Sequence, residues 1–325
     1  MGSLVDGFGR RFHYLRLSVT EVCNFRCTYC LPDGFKKTGP LQFISPLECE
    51  RAVRAFADLG VSKVRLTGGE PSVRRDLAEI IARTAAVPGV GKVCITTNGW
   101  NLDRQIEAWR EAGLTNLNVS IDSLDRDTFR KITGHDRLAQ VVRGLDRALE
   151  LGVPQVKVNG VLLRDTVAAG FDAFADFVRE RPVAVRFIEL MRTGDNADYF
   201  AAQHVPGSAL TDWLTARGWR PRERAFDDGP AVEYAHPDHA GRIGLIAPYA
   251  PGFCDSCNRL RVTARGQLRL CLFGELGVGL KDLLEKDEPE ALRARIRKAL
   301  GEKPAGHRLH QGISGETRQL AQYGG

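Results

Sequence analysis

The sequence predicts an α/β fold in which six strand-helix units are followed by a smaller C-terminal unit. Six short apolar, β-branched runs recur at 14–19, 63–67, 92–97, 116–121, 156–162 and 184–189. Amphipathic stretches separate most of them, and beyond about residue 215 the rhythm stops. Strands alternating with helices of this length build a parallel sheet covered by helices, either an open barrel or a doubly wound sheet. Periodicity does not choose between the two.

The first run leads into a cysteine-rich loop. The first helix starts at Ser45 as N-cap, with Pro46 at the first helical position and Glu48 closing a capping box. It continues through Arg51, Val53, Phe56 and Leu59 to a stop at Gly60. Further helices are expected near 73–86, 102–112, 137–151 and 170–180. Both architectures place ligands at the C-terminal ends of the strands. That rule nominates 20–30, 68–71, 98–99, 122–123 and 190–191 as site segments. Past residue 215, segments rich in Pro, Gly and Asp such as 226–230 punctuate short strands. The stretch 281–298 alternates charges as a solvated helix would. The expected division is therefore 1–215 and 216–325.

A chain of 325 residues with 43% apolar and 26% charged residues suits a soluble globular protein of about two domains. It is not collagen-like, coiled-coil or disordered. No run approaches the roughly 18 apolar residues of a membrane span, and residues 1–22 lack the apolar core of a signal peptide, so a cytoplasmic location is expected. The net charge of +6 rests mostly on arginine. Most such residues read as solvated surface, while a subset suits phosphate, which the guanidinium fork matches bidentately.

Eight cysteines in that compartment argue for metal binding or catalysis rather than disulfides. Cys49 and Cys94 stand alone in a helical and a strand-like pattern and read as small buried hydrophobes. Cys23, Cys27 and Cys30 form a C-x3-C-x2-C group on the loop after the first strand. Structural zinc wants four protein ligands. An iron-sulfur cubane held by three thiolates keeps one iron open to a small molecule. The second group is Cys254, Cys257 and Cys271. Alternating residues on both sides of 264–266 suggest a hairpin that returns Cys271 towards the other two. A second cluster is the leading reading there, and a zinc ribbon would need His236, His239 or His307 as a fourth ligand. Arg259 and Arg261, two apart on a strand, share a face beside these thiolates and suit a polyanion.

The first triad, with Tyr29 before its last member and Thr-Gly-Gly-Glu-Pro at 67–71, resembles the radical S-adenosylmethionine (SAM) superfamily. That resemblance implies a [4Fe-4S] cluster on Cys23, Cys27 and Cys30 whose open iron chelates SAM. It also implies SAM contacts at Tyr29, Gly69, Ser120 and Met191, with the glycine leaving room for the methionine amino group. Over its whole length, from Phe8-Gly9-Arg10 through 14–20 and 271–275 to Tyr323-Gly324-Gly325, the chain is similar to the GTP 3′,8-cyclase family of molybdenum cofactor biosynthesis. This implies a partial (βα)6 TIM-like barrel, closed at its open side by a C-terminal α+β domain. That domain would carry a second [4Fe-4S] cluster on Cys254, Cys257 and Cys271. GTP would meet Arg16, Arg65, Thr96, Lys157 and the run Arg259, Leu260, Arg261, with guanine at the second cluster's open iron. The Gly324-Gly325 tail would reach into the site.

The resemblance further implies a reductase or flavodoxin-type electron donor and a downstream cyclic pyranopterin monophosphate synthase. It involves neither nucleic acid nor membrane, and it allows a homodimer. Two other readings compete. A radical SAM peptide maturase with an auxiliary cluster generally carries more C-terminal cysteines than the three present. A zinc-bearing nucleic-acid-binding module would interleave aromatics with a basic stripe as stacking platforms, and this chain does not.

Overall fold

The computed structural model describes residues 3–37, 39–223, 229–275 and 277–323. Strands β1 (Tyr14–Thr20), β2 (Lys63–Gly68), β3 (Lys92–Thr97), β4 (Asn116–Ser120), β5 (Gln155–Leu162) and β6 (Ala184–Glu189) lie side by side in chain order. Each pairs parallel with the next. That order settles what periodicity left open, because a doubly wound sheet reverses its strand order at a switch point. Right-handed crossovers that all advance one way put every helix on one face, and the sheet curls into part of a barrel.

Alternation along β1 shows how one strand serves two environments. Leu15, Leu17 and Val19 are fully buried in the hydrophobic core. Tyr14 and Arg16, on the opposite face, line an interior cavity. The helix α1 (Pro46–Asp58) begins as expected, with the Ser45 side chain accepting from Glu48 N–H and the Glu48 carboxylate accepting from Ser45 N–H. It stops before Gly60, whose φ of 95° is open to glycine at no steric cost.

The expected helix at 73–86 is shorter. A 3-10 turn at Pro71–Val73 precedes α2 (Leu77–Ala85). Between them Arg74 donates to the carbonyls of Val19 and Ile44, both at 2.8 Å, which ties the segment to the end of β1. Next come α3 (Leu102–Glu111) and α4 (Arg126–Thr133). The pattern missed α4 because only Phe129 and Ile132 supply apolar bulk to its buried face. Its legible signals are caps: Asp125 accepts from Thr128 N–H at 2.8 Å, and Gly134 ends the helix at φ 76°. The series continues with α5 (Leu138–Glu150), α6 (Arg164–Ala168), α7 (Asp172–Glu180), α8 (Ala197–Gln203) and α9 (Ser208–Ala216).

The C-terminal strands are β7 (Arg220–Pro221), β8 (Val232–Ala235), β9 (Arg242–Ile246), β10 (Arg259–Val262), β11 (Gln267–Arg269) and β12 (Val278–Gly279). They extend the barrel sheet at both edges: β9 joins β6 and β10 joins β1, each in parallel. The anticipated hairpin is β10–β11, antiparallel, turning at Gly266 with φ 72°. The stretch 281–298 is not one solvated helix. It is α10 (Lys281–Lys286) and α11 (Pro289–Leu300), broken at Asp287 with φ 56° and at Pro289. Leu283, Leu284, Leu292 and Ile296 are buried, and both helices pack on α1. The charges belong to the outer face of a core-facing pair. Among the described residues no helix is long and apolar enough to cross a membrane.

Candidate active site

Two cavities open on the interior face of the barrel. The first is lined by Cys23, Cys27 and Cys30 together with Tyr29, Gly69, Ser120 and Met191, so every expected SAM-side residue is gathered there. The cysteine loop is held in place by its own chemistry. Arg26 N–H and Thr28 N–H donate to the carbonyls of Thr133 and Ile132 at the end of α4. Phe25, 2% exposed, packs edge-on to Trp100 at 5.7 Å and stacks on His135 at 5.2 Å. Burying such a ring stabilises the loop by about 3 kcal/mol on the scale of core Phe truncations.

The backbone of residues 68–70 closes the other side of the loop, with Gly69 N–H and Glu70 N–H donating to the carbonyls of Thr20 and Val22. A Cβ on Gly69 would lie 2.4 Å from the Val22 carbonyl oxygen and 2.6 Å from that of Glu21. Glycine is therefore demanded by the docking of the cysteine loop, a different reason from the expected clearance for a ligand amino group. Glu70 lies underneath, 1% exposed. Burial raises its pKa against three partners: Thr97 Oγ1 at 2.6 Å, Asn98 N–H at 2.5 Å and Ser72 N–H at 2.9 Å.

Burial pushes the Cys23 thiol up to about 11 and Cys30 up to about 12. Cys27 is raised well above its ordinary value by burial, then by Asp122 and the other two thiols. Such thiols ionise only when a strongly electrophilic centre replaces their protons. Three of them facing one cavity form the donor set that suits an iron-sulfur cluster with one open iron.

The second cavity is built on strand register. Across β10, β1 and β2 one row reads Arg259, Tyr14, Lys63 and the next reads Arg261, Arg16, Arg65. Lys157 on β5, Arg186 on β6 and Lys303 complete eight cations among the described lining residues, and these include no carboxylate. Burial, Arg16 and Arg259 push the Arg261 guanidinium well below its ordinary pKa, and burial with Arg65 brings Arg186 down to about 10. Like charges crowded in low dielectric cost free energy that a polyanion relieves.

Cys254, Cys257 and Cys271 line this second cavity, brought together by the hairpin. Burial opposes ionisation of Cys257, yet Arg259 and Lys303 outweigh it and lower that thiol's pKa. Of the three histidines considered as a fourth ligand, His307 reaches this cavity. His236 and His239 pack on Trp219 elsewhere. Among the described residues no three His, Cys, Asp or Glu groups form a site for a single metal ion.

Leu260 and Thr96 are not among the described residues that line the second cavity. Leu260 pairs with Leu15 in the core, fully buried, so its side chain faces away from the cavity that Arg259 and Arg261 line. Thr96 lines the first cavity and accepts from Arg65 at 3.1 Å. The Gly324-Gly325 tail lies outside the described residues. Leu320 and Ala321, just before it, line the first cavity.

The chain matches the radical SAM superfamily model over residues 17–178 and the molybdenum cofactor synthesis C model over 183–309. It is 58% identical to a GTP 3′,8-cyclase of Stenotrophomonas maltophilia (strain K279a) over 100% of both chains. The chain belongs to the GTP 3′,8-cyclase family. A second relative, from Vibrio parahaemolyticus serotype O3:K6 and also named GTP 3′,8-cyclase, is 53% identical over 98% of this chain and 97% of its own length. Among solved structures, Streptococcus suis SuiB bound to S-adenosylmethionine superposes with a TM-score of 0.64 at 15% identity. That match covers 96% of this chain and 77% of the other, and it supports the fold alone.

The second cavity also gathers Tyr14, Lys63 and Lys303, which the sequence reading passed over. Tyr14 and Lys63 sit two positions before Arg16 and Arg65 on the same strand faces, so alternation could have found them. Lys303 lies in a loop and carries no such signal. Burial alone would raise the Tyr14 phenol, but Arg65 and Arg16 dominate and bring it to about 8. Its hydroxyl accepts from Arg65 Nε at 2.5 Å. A tyrosinate absorbance titration is expected with a midpoint near 8 that is missing in Tyr14→Phe. A depressed pKa means stability gained as pH rises from about 8 towards the unfolded value near 10 and lost again as pH falls through 8. Added GTP, a polyanion, should raise the midpoint. A midpoint unchanged by saturating GTP would place the nucleotide elsewhere.

Proposed function

We propose that this protein converts GTP to (8S)-3′,8-cyclo-7,8-dihydroguanosine 5′-triphosphate, an early step of molybdenum cofactor biosynthesis. The observation that carries it is that Asn159, Ile188 and Met191 line both cavities, so a thiol-lined site and a cation-lined site share a wall. In this reading residues 1–215 supply the radical-generating barrel and 216–325 the second cysteine group. A [4Fe-4S] cluster held by Cys23, Cys27 and Cys30 with SAM would supply a 5′-deoxyadenosyl radical as the acceptor of the C3′ hydrogen atom of GTP; C3′ then bonds to guanine C8, and one electron and one proton complete the dihydro ring.

The rest of the work falls to the chain's own residues. Tyr29, Gly69, Ser120 and Met191 shape the SAM side. Arg16, Arg261 and Arg259 bind the triphosphate, with Arg65 and Lys157 across the cavity. Lys157 is steered by the buried Glu233 carboxylate at 3.6 Å. Cys254, Cys257 and Cys271 hold a second [4Fe-4S] cluster that anchors the purine. Electrons come from a reductase or flavodoxin-type protein, and cyclic pyranopterin monophosphate synthase consumes the product. The enzyme works in the cytoplasm.

One observation favours a second reading of the C-terminal group. His307 Nε2 is buried with no hydrogen-bond partner, and burial lowers the ring's pKa, which leaves a neutral imidazole beside three thiols. Three cysteines and one histidine would make a structural zinc set if drawn together, although as the side chains stand they form no site for a single ion. Metal analysis of anaerobically purified protein separates the two: about eight irons from two cubanes, or about four irons and one zinc. Anaerobic turnover of GTP with SAM and a reductant tests the reaction itself. Formation of 5′-deoxyadenosine at one slow rate with and without GTP, and no cyclised nucleotide, would overturn it.

Arg259→Ala and Arg261→Ala should each weaken GTP binding by about 1.5–3 kcal/mol, the usual worth of a hydrogen bond to a charged group. Iron content should stay whole, and guanosine, lacking phosphates, should bind the variants and the parent alike. Equal losses for guanosine and GTP would assign these arginines to the hairpin's architecture instead.

A further inference from the structure

A line of ring contacts runs from the surface to the first cysteine group. Trp100 in the turn after β3 and His135 just past α4 are both half-buried. The His135 ring stands edge-on to Trp100 and stacks on Phe25, with 5.2 Å between centroids in each pair. Phe25 lines the first cavity, and its N–H and that of Asn24 hydrogen-bond to the Cys23 sulfur. The His135 ring also bonds to the backbone of Asn24. Only Phe25 therefore stands between a half-exposed aromatic pair and a cysteine of the triad. Residues 68–70 close the opposite side of the cysteine loop, with Gly69 N–H and Glu70 N–H bound to its backbone.

Positive charge gathers around the same pair. Arg137 lies over the Trp100 ring, 4.1 Å from its centroid. Arg26 is exposed, as is Arg130 in the last turn of α4. Arg26 reaches Gly134, where a Cβ would stand 3.2 Å from its Nε. Arg26 and Arg137 both act electrostatically on His135. Neighbouring cations are already matched: Arg126 Nε donates to Asp136 at 2.9 Å, and Lys131 meets Asp165 at 2.8 Å. Arg26, Arg130 and Arg137 enter no ion pair among the described residues. Three uncompensated guanidinium groups around an aromatic centre complement an acidic surface.

We infer that this face is the docking site of an acidic flavodoxin-type protein, whose flavin edge meets Trp100 and His135 and reduces the cluster that Cys23, Cys27 and Cys30 hold. This rests on the reading above that such a protein supplies the electrons, and it adds where it binds. One electron leaves the reduced flavin and is taken up at the cluster, and no bond forms or breaks in that transfer. Electron transfer weakens steeply with every gap across open space, so rings in contact mark the route. Clustered cations steer an acidic partner and raise its encounter rate more than they tighten the complex. Redox encounters of this kind bury under about 1,200 Å², a patch that three arginines and two half-exposed rings can centre.

The test uses the full chain with reconstituted clusters and an acidic flavodoxin as the probe. In the parent, association should slow as salt screens the charges. The double variant Arg130→Glu, Arg137→Glu should associate at least roughly 10-fold more slowly at low salt and lose most of its salt dependence. Its iron content, thermal melting and SAM cleavage with dithionite as reductant should match the parent. His135→Leu keeps the charges and an apolar contact with Phe25. It should dock like the parent, while reduction of its cluster within the complex slows and reduction by dithionite does not. Hydrogen exchange of the parent, which needs no variant, should show flavodoxin protecting residues 130–137.

Parent-like association and salt dependence in the double variant, or protection confined to another surface such as residues 250–255, would overturn the docking site. Parent-rate reduction within the His135→Leu complex would overturn the ring route. Loss of dithionite-driven cleavage in both variants would make these side chains architectural and overturn the inference as well. A parent that dithionite reduces but that flavodoxin neither binds nor reduces would overturn the reading of the donor, and the docking site with it.

Discussion

Alanine at any one of Cys23, Cys27 or Cys30 should abolish SAM cleavage while the barrel stays folded. Cluster assembly needs the full donor set, because a cubane on two thiolates loses the ligand that fixes its open corner. The loop itself does not depend on the thiols for its shape. Its backbone is held by α4 at Thr133 and Ile132 and by the contacts of Gly69 and Glu70, and Phe25 anchors it in the core. Far-ultraviolet circular dichroism and thermal melting of the unloaded variants should therefore match the unloaded parent. 5′-Deoxyadenosine released under anaerobic reduction is the readout, and cleavage retained in Cys27→Ala would sink the assignment.

Replacing Cys254, Cys257 and Cys271 together by Ser should keep about half the iron and uncouple the two half-reactions. Arg10 donates to the Cys254 carbonyl at 3.1 Å and to the carbonyls of Pro304 and Ala305, while its Nε is held by buried Asp6. This clamp binds the N-terminal segment, the second cysteine loop and the C-terminal segment together without using a thiol. The variant should therefore fold and keep the first cluster. SAM cleavage should persist, but without its purine anchor GTP would sit loosely, and cyclised nucleotide should fall by on the order of 100-fold or more. With deuterium at C3′, transfer into 5′-deoxyadenosine should fall in parallel. Transfer at the parent rate would show that the second cysteine group does not position the substrate. Unchanged iron together with lost zinc would favour the site completed by His307.

The sequence by itself determined the repeating strand-helix units, because apolar alternation and the capping box at Ser45 are local signals that tertiary context rarely overrides. It also determined both cysteine groups and the hairpin at Gly266, since ligand spacing and turn residues are read along a single stretch of chain. Where packing hides periodicity the sequence was less legible. Helix α4 shows only two bulky apolar residues, and the charges of 281–298 conceal the buried faces of α10 and α11.

The tertiary structure alone decided that β10 lies parallel to β1 and β9 parallel to β6. The first joins residues 245 positions apart, as Arg16 and Arg261 are, the second residues 58 apart, as Ala184 and Arg242 are, and no local propensity encodes such a register. From that register follow the two rows of cations across three strands, the turning of Leu260 into the core and the shared wall at Asn159, Ile188 and Met191. Arg186 became visible for the same reason. On β6 it reads as one more polar residue in a strand, and only the folded barrel buries it and joins it to Asn118 and Asn159.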